Sequence, residues 1–250
     1  MTNSDSERDN WDVHWQQQHW IASINPAQNM RHEAISRIIK NIGTVTLLDV
    51  GCGQGDLLFD ISISNPSVRL YGCDPSAFAI DVVKQKVPAA HLFCADLTQA
   101  SITELNGVNL DTICIIEVLE HLDQPEMLIA KVNQLMQPGS TLIVSVPSGP
   151  RSDFEVSIGH RKHYSKKMLS EVLIDGGFRN IKVNQIGFPF FNLYKLVVKA
   201  RGKQLTKDIN DFNNGAGGIA KMAMKCFSVL FKLNLNRLPF GWQLIAICEK

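Results

Sequence analysis

The chain has 250 residues, 45% of them hydrophobic and 20% charged. That is ordinary globular composition, long enough to bury one large core; it excludes a disordered chain, a collagen-like fibre and a disulfide miniprotein. Basic side chains (25) nearly balance acidic ones (24), so no global field points to nucleic acid. The balance hides an asymmetry. Residues 1–187 carry 15 basic and 21 acidic side chains, net −6, whereas residues 188–250 carry ten and three, net +7. Such a split suggests two surfaces with different partners.

Met1 to Asn10 is polar and acid-rich, without the basic and apolar regions of a signal peptide. No run of about 18 apolar residues is present, so no membrane span is expected. Six cysteines lack any CxxC pair, and a reducing cytoplasm is the expected compartment. Residues 1–40 form the expected amino-terminal helical cap, where Trp11, Trp15 and Trp20 crowd together with His14 and His19.

Short apolar runs at Val45–Val50, Val68–Cys73, His91–Cys94, Leu110–Ile116 and Thr141–Val146 read as buried parallel strands. Helical stretches fall between them at Asp56–Ser64, Ser76–Lys86 and Pro125–Met136, the last stopped by Gln137-Pro138-Gly139. A further helix, Ser165–Asp175, leads to strands near Phe178–Ile186 and Trp242–Cys248. This alternation predicts an α/β, Rossmann-like doubly wound sheet, mostly parallel and seven-stranded, with residues 41–187 as its core and 242–250 as its last strand. Residues 188–241 are then an insertion before the last strand, far longer than a hairpin needs. The run Asn213–Gly218 divides it, and a helix over Ile219–Leu233 places Lys221, Lys225, Ser228 and Lys232 on one face.

The strongest chemical signal is Leu47-Leu48-Asp49-Val50-Gly51-Cys52-Gly53-Gln54-Gly55-Asp56. A buried strand enters a glycine turn that lets the backbone approach a ligand. The dinucleotide fingerprint places its third glycine at the position held here by Asp56. An acidic loop suits a ligand bearing an ammonium group and repels a pyrophosphate. The loop resembles motif I of the class I S-adenosylmethionine-dependent methyltransferases. By that resemblance Asp49, Gly51, Gly53 and Gly55 hold the aminoacyl end of the cofactor. Asp74, ending the second strand, holds the ribose hydroxyls, and Asp96, ending the third, the adenine. Glu117 borders the cofactor.

"EVLEHL" at Glu117–Leu122 is similar to the segment after strand four in small-molecule members of that class, ubiquinone-pathway O-methyltransferases among them, and "GHRKHYS" at Gly159–Ser165 resembles a segment frequent in methyltransferases acting on quinones and glycans. The Asn/Asp-Pro-Pro-aromatic motif of nucleobase methyltransferases is absent, which disfavours cytosine or adenine. Glu117, Glu120 and His121 stand one helical turn apart and offer a divalent cation ligands, an arrangement similar to that of the small-RNA 2′-O-methyltransferases; local pairing is the favoured alternative, and no metal is assigned. Gly159-His160-Arg161-Lys162-His163-Tyr164-Ser165 offers His160 and His163 as general bases.

The resemblance therefore implies transfer of a methyl group from S-adenosylmethionine, leaving S-adenosylhomocysteine, to oxygen on a small or lipid-linked acceptor such as a quinone precursor, phenol or glycan. A metal-assisted RNA 2′-O-methyltransferase and a nicotinamide-dependent oxidoreductase are the alternatives. DNA is not expected as partner and RNA is disfavoured. The basic insertion makes peripheral membrane contact through 219–233, forms a homodimer contact or acts as a lid.

Overall fold

The computed structural model describes residues 10–16, 25–202, 204, 218–236 and 238–250. His19, Trp20 and the 213–217 part of the Asn/Gly run lie outside them, as does the Lys221 side chain. Seven strands form one sheet in the order β3-β2-β1-β4-β5-β7-β6. They are β1 (Thr46–Val50), β2 (Arg69–Asp74), β3 (His91–Cys94), β4 (Thr112–Ile116), β5 (Thr141–Pro147), β6 (Arg179–Ile186) and β7 (Gln243–Glu249). The first five are parallel, and β7 runs antiparallel between β5 and β6. β1, β2, β4 and β5 fall where the apolar runs place them, because strands covered on both faces read as uninterrupted apolar segments; β3 and β6 are the edge strands and are partly exposed. β1 is buried at every position.

The chain winds outward from β1 to β3, then returns across the sheet to β4 on the other side of β1. In doubly wound sheets, ligands bind at the carboxyl ends of the strands beside this reversal. One core cluster joins Leu48, Val50, Ile113, Val144 and Leu169. The second joins Leu47, Leu58, Ile80, Ile143 and Phe231. Alternate residues of one strand serve opposite faces, as at Leu47 and Leu48.

Helices α3 (Asp56–Ser64), α4 (Ala77–Lys86), α5 (Pro125–Leu135) and α7 (Lys166–Asp175) match the expected crossovers. Between β5 and α7 lies a short helix, α6 (Asp153–Ser157), closed by a reciprocal capping box between Ser152 and Glu155. At the amino end a helix α1 covers 11–16, and α2 spans Pro26–Ile42. Its stops are local: the Asn25 side chain accepts from Ala27 N–H, Pro26 opens it, and Gly43 closes it in the left-handed region.

Among the described residues, the insertion contributes helices α8 (Phe190–Arg201) and α9 (Gly218–Phe231). Aromatic rings of Phe191, Tyr194, Phe227 and Phe231 lock them together. Phe227 and Phe231 turn inward, while Met222, Val229 and Leu233 are exposed beside Lys225 and Lys232. All six cysteines are free, and no described helix is long and apolar enough to cross a membrane.

Candidate active site

Gly51 and Gly53 follow β1 with φ of 71° and 50°, a region side chains rarely adopt. A Cβ on Gly53 would strike the Trp15 ring, so α1 rests on the glycine turn. Asp74 reaches that turn from β2. Its Oδ2 accepts from Gly53 N–H at 2.8 Å and its Oδ1 from Ser76 N–H at 2.9 Å. Burial outweighs those two donors and lifts its pKa to about 6. Asp96 closes a turn onto Thr98, whose N–H donates to Oδ1 at 2.8 Å. Asp56, which displaces the third glycine, pairs with Lys86 and Gln28. It is engaged in joining helices and does not face the cleft.

Asp49 is 2% exposed, and its Oδ1 has no hydrogen-bond partner. Burial first, and the Asp74 charge second, push its pKa up to about 8. Buried donors of the same region that lack acceptors include Trp15 Nε1 and Arg31 Nε. Arg31 stands 3.6 Å from Glu117. Unsatisfied buried polar groups cost about 1–3 kcal/mol each. An acid without a donor and two donors without acceptors fit the ammonium and carboxylate of an amino-acid moiety. That is the end of S-adenosylmethionine that the glycine turn is expected to take.

Glu117, placed immediately after β4, is a non-glycine residue at φ 56°. Such strain costs about 1–3 kcal/mol and persists where surroundings enforce it. Here Gln243 Nε2 donates to Oε1 at 2.7 Å, Ser145 Oγ donates at 3.0 Å, and the Glu117 N–H donates to the Ser145 carbonyl. Gln243, Ser145 and Arg31 were not singled out in the sequence. They come from three distant segments, and no local pattern marks them.

A cavity of about 110 Å³ runs from Gly51 and Asp74 past Asp96 and Glu117 to His121. It is smaller than the roughly 300 Å³ of typical ligand pockets, because Trp11 and Trp15 cover it. Helix α1 is held down by Asp12, which accepts from Ser76 Oγ at 2.6 Å and from Phe78 N–H at 3.0 Å. These bonds, the Ser76 hydroxyl foremost, lower the Asp12 pKa.

Beyond Glu117 a 3₁₀ turn, Leu119–His121, meets the loop that carries the predicted bases. The Tyr164 hydroxyl donates to Leu119 O at 3.1 Å, and Arg161 N–H donates to Glu120 O at 2.7 Å. These bonds bring His160 to His121, with ring centroids 4.8 Å apart. His163 Nδ1 lies 3.1 Å from the Gly149 carbonyl, which can only accept, so Nδ1 carries the proton. His163 Nε2 is then the acceptor for His160 Nδ1–H at 3.3 Å. The His160 Nε2 lone pair is left for other chemistry. Burial, with His121 and His163 beside it, pushes the His160 pKa down to about 2.

Behind His163, Glu155 Oε1 lies 3.7 Å from Nε2 and 2.6 Å from Lys195 Nζ. Burial would raise the Glu155 pKa, but Lys195 and the Ser152 N–H leave it lowered. Lys195, 5% exposed, enters from α8, so the insertion contributes a charge to this cluster. Glu120 is 0% exposed with neither carboxylate oxygen hydrogen-bonded. Burial and then Glu117 raise its pKa well above the usual range. Ligand atoms of Glu120, His121 and His160 lie within 4.8 Å of one another, as do those of Glu155, His160 and His163. The structure thus gathers His160, His163, Glu120 and His121 in one place, while Glu117 beside them is bonded to Ser145 and Gln243 and stands outside the converging ligand atoms.

A glycine turn, strand-end acids and a seven-stranded sheet with one antiparallel strand define a Rossmann-like methyltransferase fold of the class I S-adenosylmethionine-dependent type. Residues 48–142 match the family model described as a methyltransferase domain. In structure, the chain is similar to a phosphoethanolamine N-methyltransferase of Haemonchus contortus, with a TM-score of 0.62 at 18% identity, over 96% of this chain and 58% of that one. This likeness shows the fold. In sequence, it is 32% identical over 106 residues to a tRNA N(3)-methylcytidine methyltransferase of Schizosaccharomyces pombe, covering 40% of this chain and 43% of the relative. It is 25% identical over 124 residues to a (S)-tetrahydroprotoberberine N-methyltransferase of Eschscholzia californica, covering 49% and 35%. The chain therefore spans well under half the length of these two relatives.

Proposed function

We propose that the protein transfers the methyl group of S-adenosylmethionine to an oxygen atom of a small or lipid-linked acceptor. The observation that carries the cofactor assignment is the buried, unpartnered Asp49 Oδ1 beside the glycine turn. Asp49 meets the ammonium, and Arg31 with Trp15 the carboxylate. Asp74 and Asp96, which line the cavity, face the ribose and the adenine. S-adenosylmethionine supplies an electrophilic methyl carbon on a sulfonium, so the protein has to orient the acceptor and remove its proton.

The His160 Nε2 lone pair takes that proton. His160 is a poor final store for it, being so depressed by burial. Its Nδ1 proton passes to His163 Nε2, and Glu155 stabilises the resulting cation. Lys195 holds Glu155 in place and keeps it ionised. Methyl transfer from isotopically labelled cofactor to a panel of phenols, sugars, quinone precursors and amines tests the reading. Oxygen-methylated products uphold it, and exclusively nitrogen-methylated products overturn it.

Two observations favour second readings. The bare Glu120 carboxylate against His121 and His160 suits a hard divalent cation, which would act as a Lewis acid on the acceptor hydroxyl. Activity lost with chelator and regained with magnesium or manganese selects it. The sequence likeness to a tRNA N(3)-methylcytidine methyltransferase keeps RNA and a nitrogen acceptor in view. Labelled transfer to bulk tRNA tests that directly.

A further inference from the structure

Helix α8 has two faces with opposite tasks. Inward, Phe191, Lys195 and Val198 are buried at i, i+4 and i+7, and Lys195 reaches Glu155. Outward, Leu193, Leu196 and Val197 are 48%, 48% and 41% exposed. The outward face of α9 repeats the pattern with lysines interleaved. Met222, Val229 and Leu233 are 64%, 60% and 60% exposed, and Lys225 and Lys232 stand among them at helical spacing.

The turn after α9 ties the two helices into one unit. Asn192 Nδ2 donates to Phe240 O at 2.8 Å, Leu235 N–H donates to Phe188 O at 2.7 Å, and the Phe240 ring, itself 58% exposed, packs on Phe188. Large aliphatic side chains held rigidly in solvent by a buried aromatic cluster need a partner.

We propose that this outer face of α8 and α9 docks the protein on an anionic lipid surface, with the aliphatic side chains entering the headgroup boundary and the lysines meeting the phosphates. Charge decides the occupant. The segment 188–250 is net +7 while the rest of the chain is net −6, and its Lys199, Lys225 and Lys232 are exposed. A second copy seated on the same face would set lysine against lysine. Mixed lysine and aliphatic exposure on one helical face is the pattern of interfacial binding, and anionic headgroups attract basic residues near the surface.

The same helix that meets the lipid places Lys195 beside Glu155. One helix diameter, about 10–12 Å, thus lies between the lipid and Glu155, the member of the Glu155–His163–His160 cluster that Lys195 touches. This deepens the lipid-linked reading of the transfer reaction, yet the docking stands on its own readout.

The full chain is floated with phosphatidylcholine vesicles, with and without phosphatidylglycerol, and titrated with S-adenosylhomocysteine by calorimetry. Flotation is expected only on the anionic vesicles, weakening as salt rises. The Leu196→Glu/Val197→Glu variant and the Lys225→Glu/Lys232→Glu variant should each lose at least fivefold in the floated fraction at unchanged S-adenosylhomocysteine affinity. The charge variant touches no buried position, so it keeps the test valid if the aliphatic variant misfolds. A chain that stays at the bottom with anionic vesicles overturns the proposal. So do a charge variant that floats like the parent and a dimer in sedimentation that the aliphatic variant splits without any flotation. Flotation as expected without S-adenosylhomocysteine binding supports the docking and removes the transfer reading alone.

Discussion

Asp49 is fully buried and its pKa is raised to about 8, against about 4 in the unfolded chain. The folded state therefore holds a proton that the unfolded state releases between those values. Stability that is complete below about pH 4 is lost as pH rises toward 8. The melting temperature of the ligand-free protein should fall from pH 5 to pH 8, and Asp49→Asn should flatten that slope. The same substitution removes the charge that meets the ammonium. Charge-assisted hydrogen bonds contribute about 1.5–3 kcal/mol, so S-adenosylhomocysteine affinity should drop about 10- to 100-fold in calorimetry.

His160→Ala should leave that affinity intact and lower turnover by about 10²–10⁴-fold, the usual contribution of a general base. Glu120→Gln relieves a buried carboxylate of its unmet ionisation and should melt no lower than the parent. Its effect on turnover separates cation from base: near-complete loss together with loss of metal response selects the cation. The glycine turn, the strand-end acids and the two histidines were legible as residues because each sits at a strand end or helix start that local pattern reveals. Glu155 and Lys195 were not, since their meeting joins residues 40 positions apart, and a buried lysine carries no signal of its own.

The strands and crossover helices were readable from apolar runs and stop signals, but α8 was not. Its buried face includes Lys195 while Leu193, Leu196 and Val197 face solvent. Polarity is inverted on it, and a search for an apolar stripe finds no consistent face. α2 did carry readable signals, an Asn-Pro start and a closing glycine. Helix α1 makes a kinetic prediction. Asp12 is its latch on the α4 cap, through Ser76 and Phe78, and Trp15 covers Gly53. With the cavity so narrowed, α1 has to move for a nucleoside to enter or leave. Asp12→Ala should speed release of S-adenosylhomocysteine in stopped flow and raise amide exchange over 11–16. Unchanged release would mean that α1 is a fixed wall.

At the scale of the molecule, the order β3-β2-β1-β4-β5-β7-β6 puts Asp49, Asp74, Asp96 and Glu117 at the carboxyl ends of four adjacent strands. This acidic edge is where the charge of the first 187 residues has its chemical use. The basic insertion joins this site through α8, whose Lys195 is the one charge it lends to the His160 cluster among the described residues. Sequence separated these two regions by net charge, but it could not say that they meet.

The central claim is that the acidic turn holds an amino-acid zwitterion and not a pyrophosphate. Calorimetry of the full chain with S-adenosylhomocysteine and with NADH, at pH 7 in two buffers of different ionisation enthalpy, tests it most directly. Asp49 is protonated there in the free protein and gives up its proton to face an ammonium. S-adenosylhomocysteine should therefore bind with net release of a proton, and NADH should give no heat beyond dilution. Binding of NADH with none of S-adenosylhomocysteine would contradict the account.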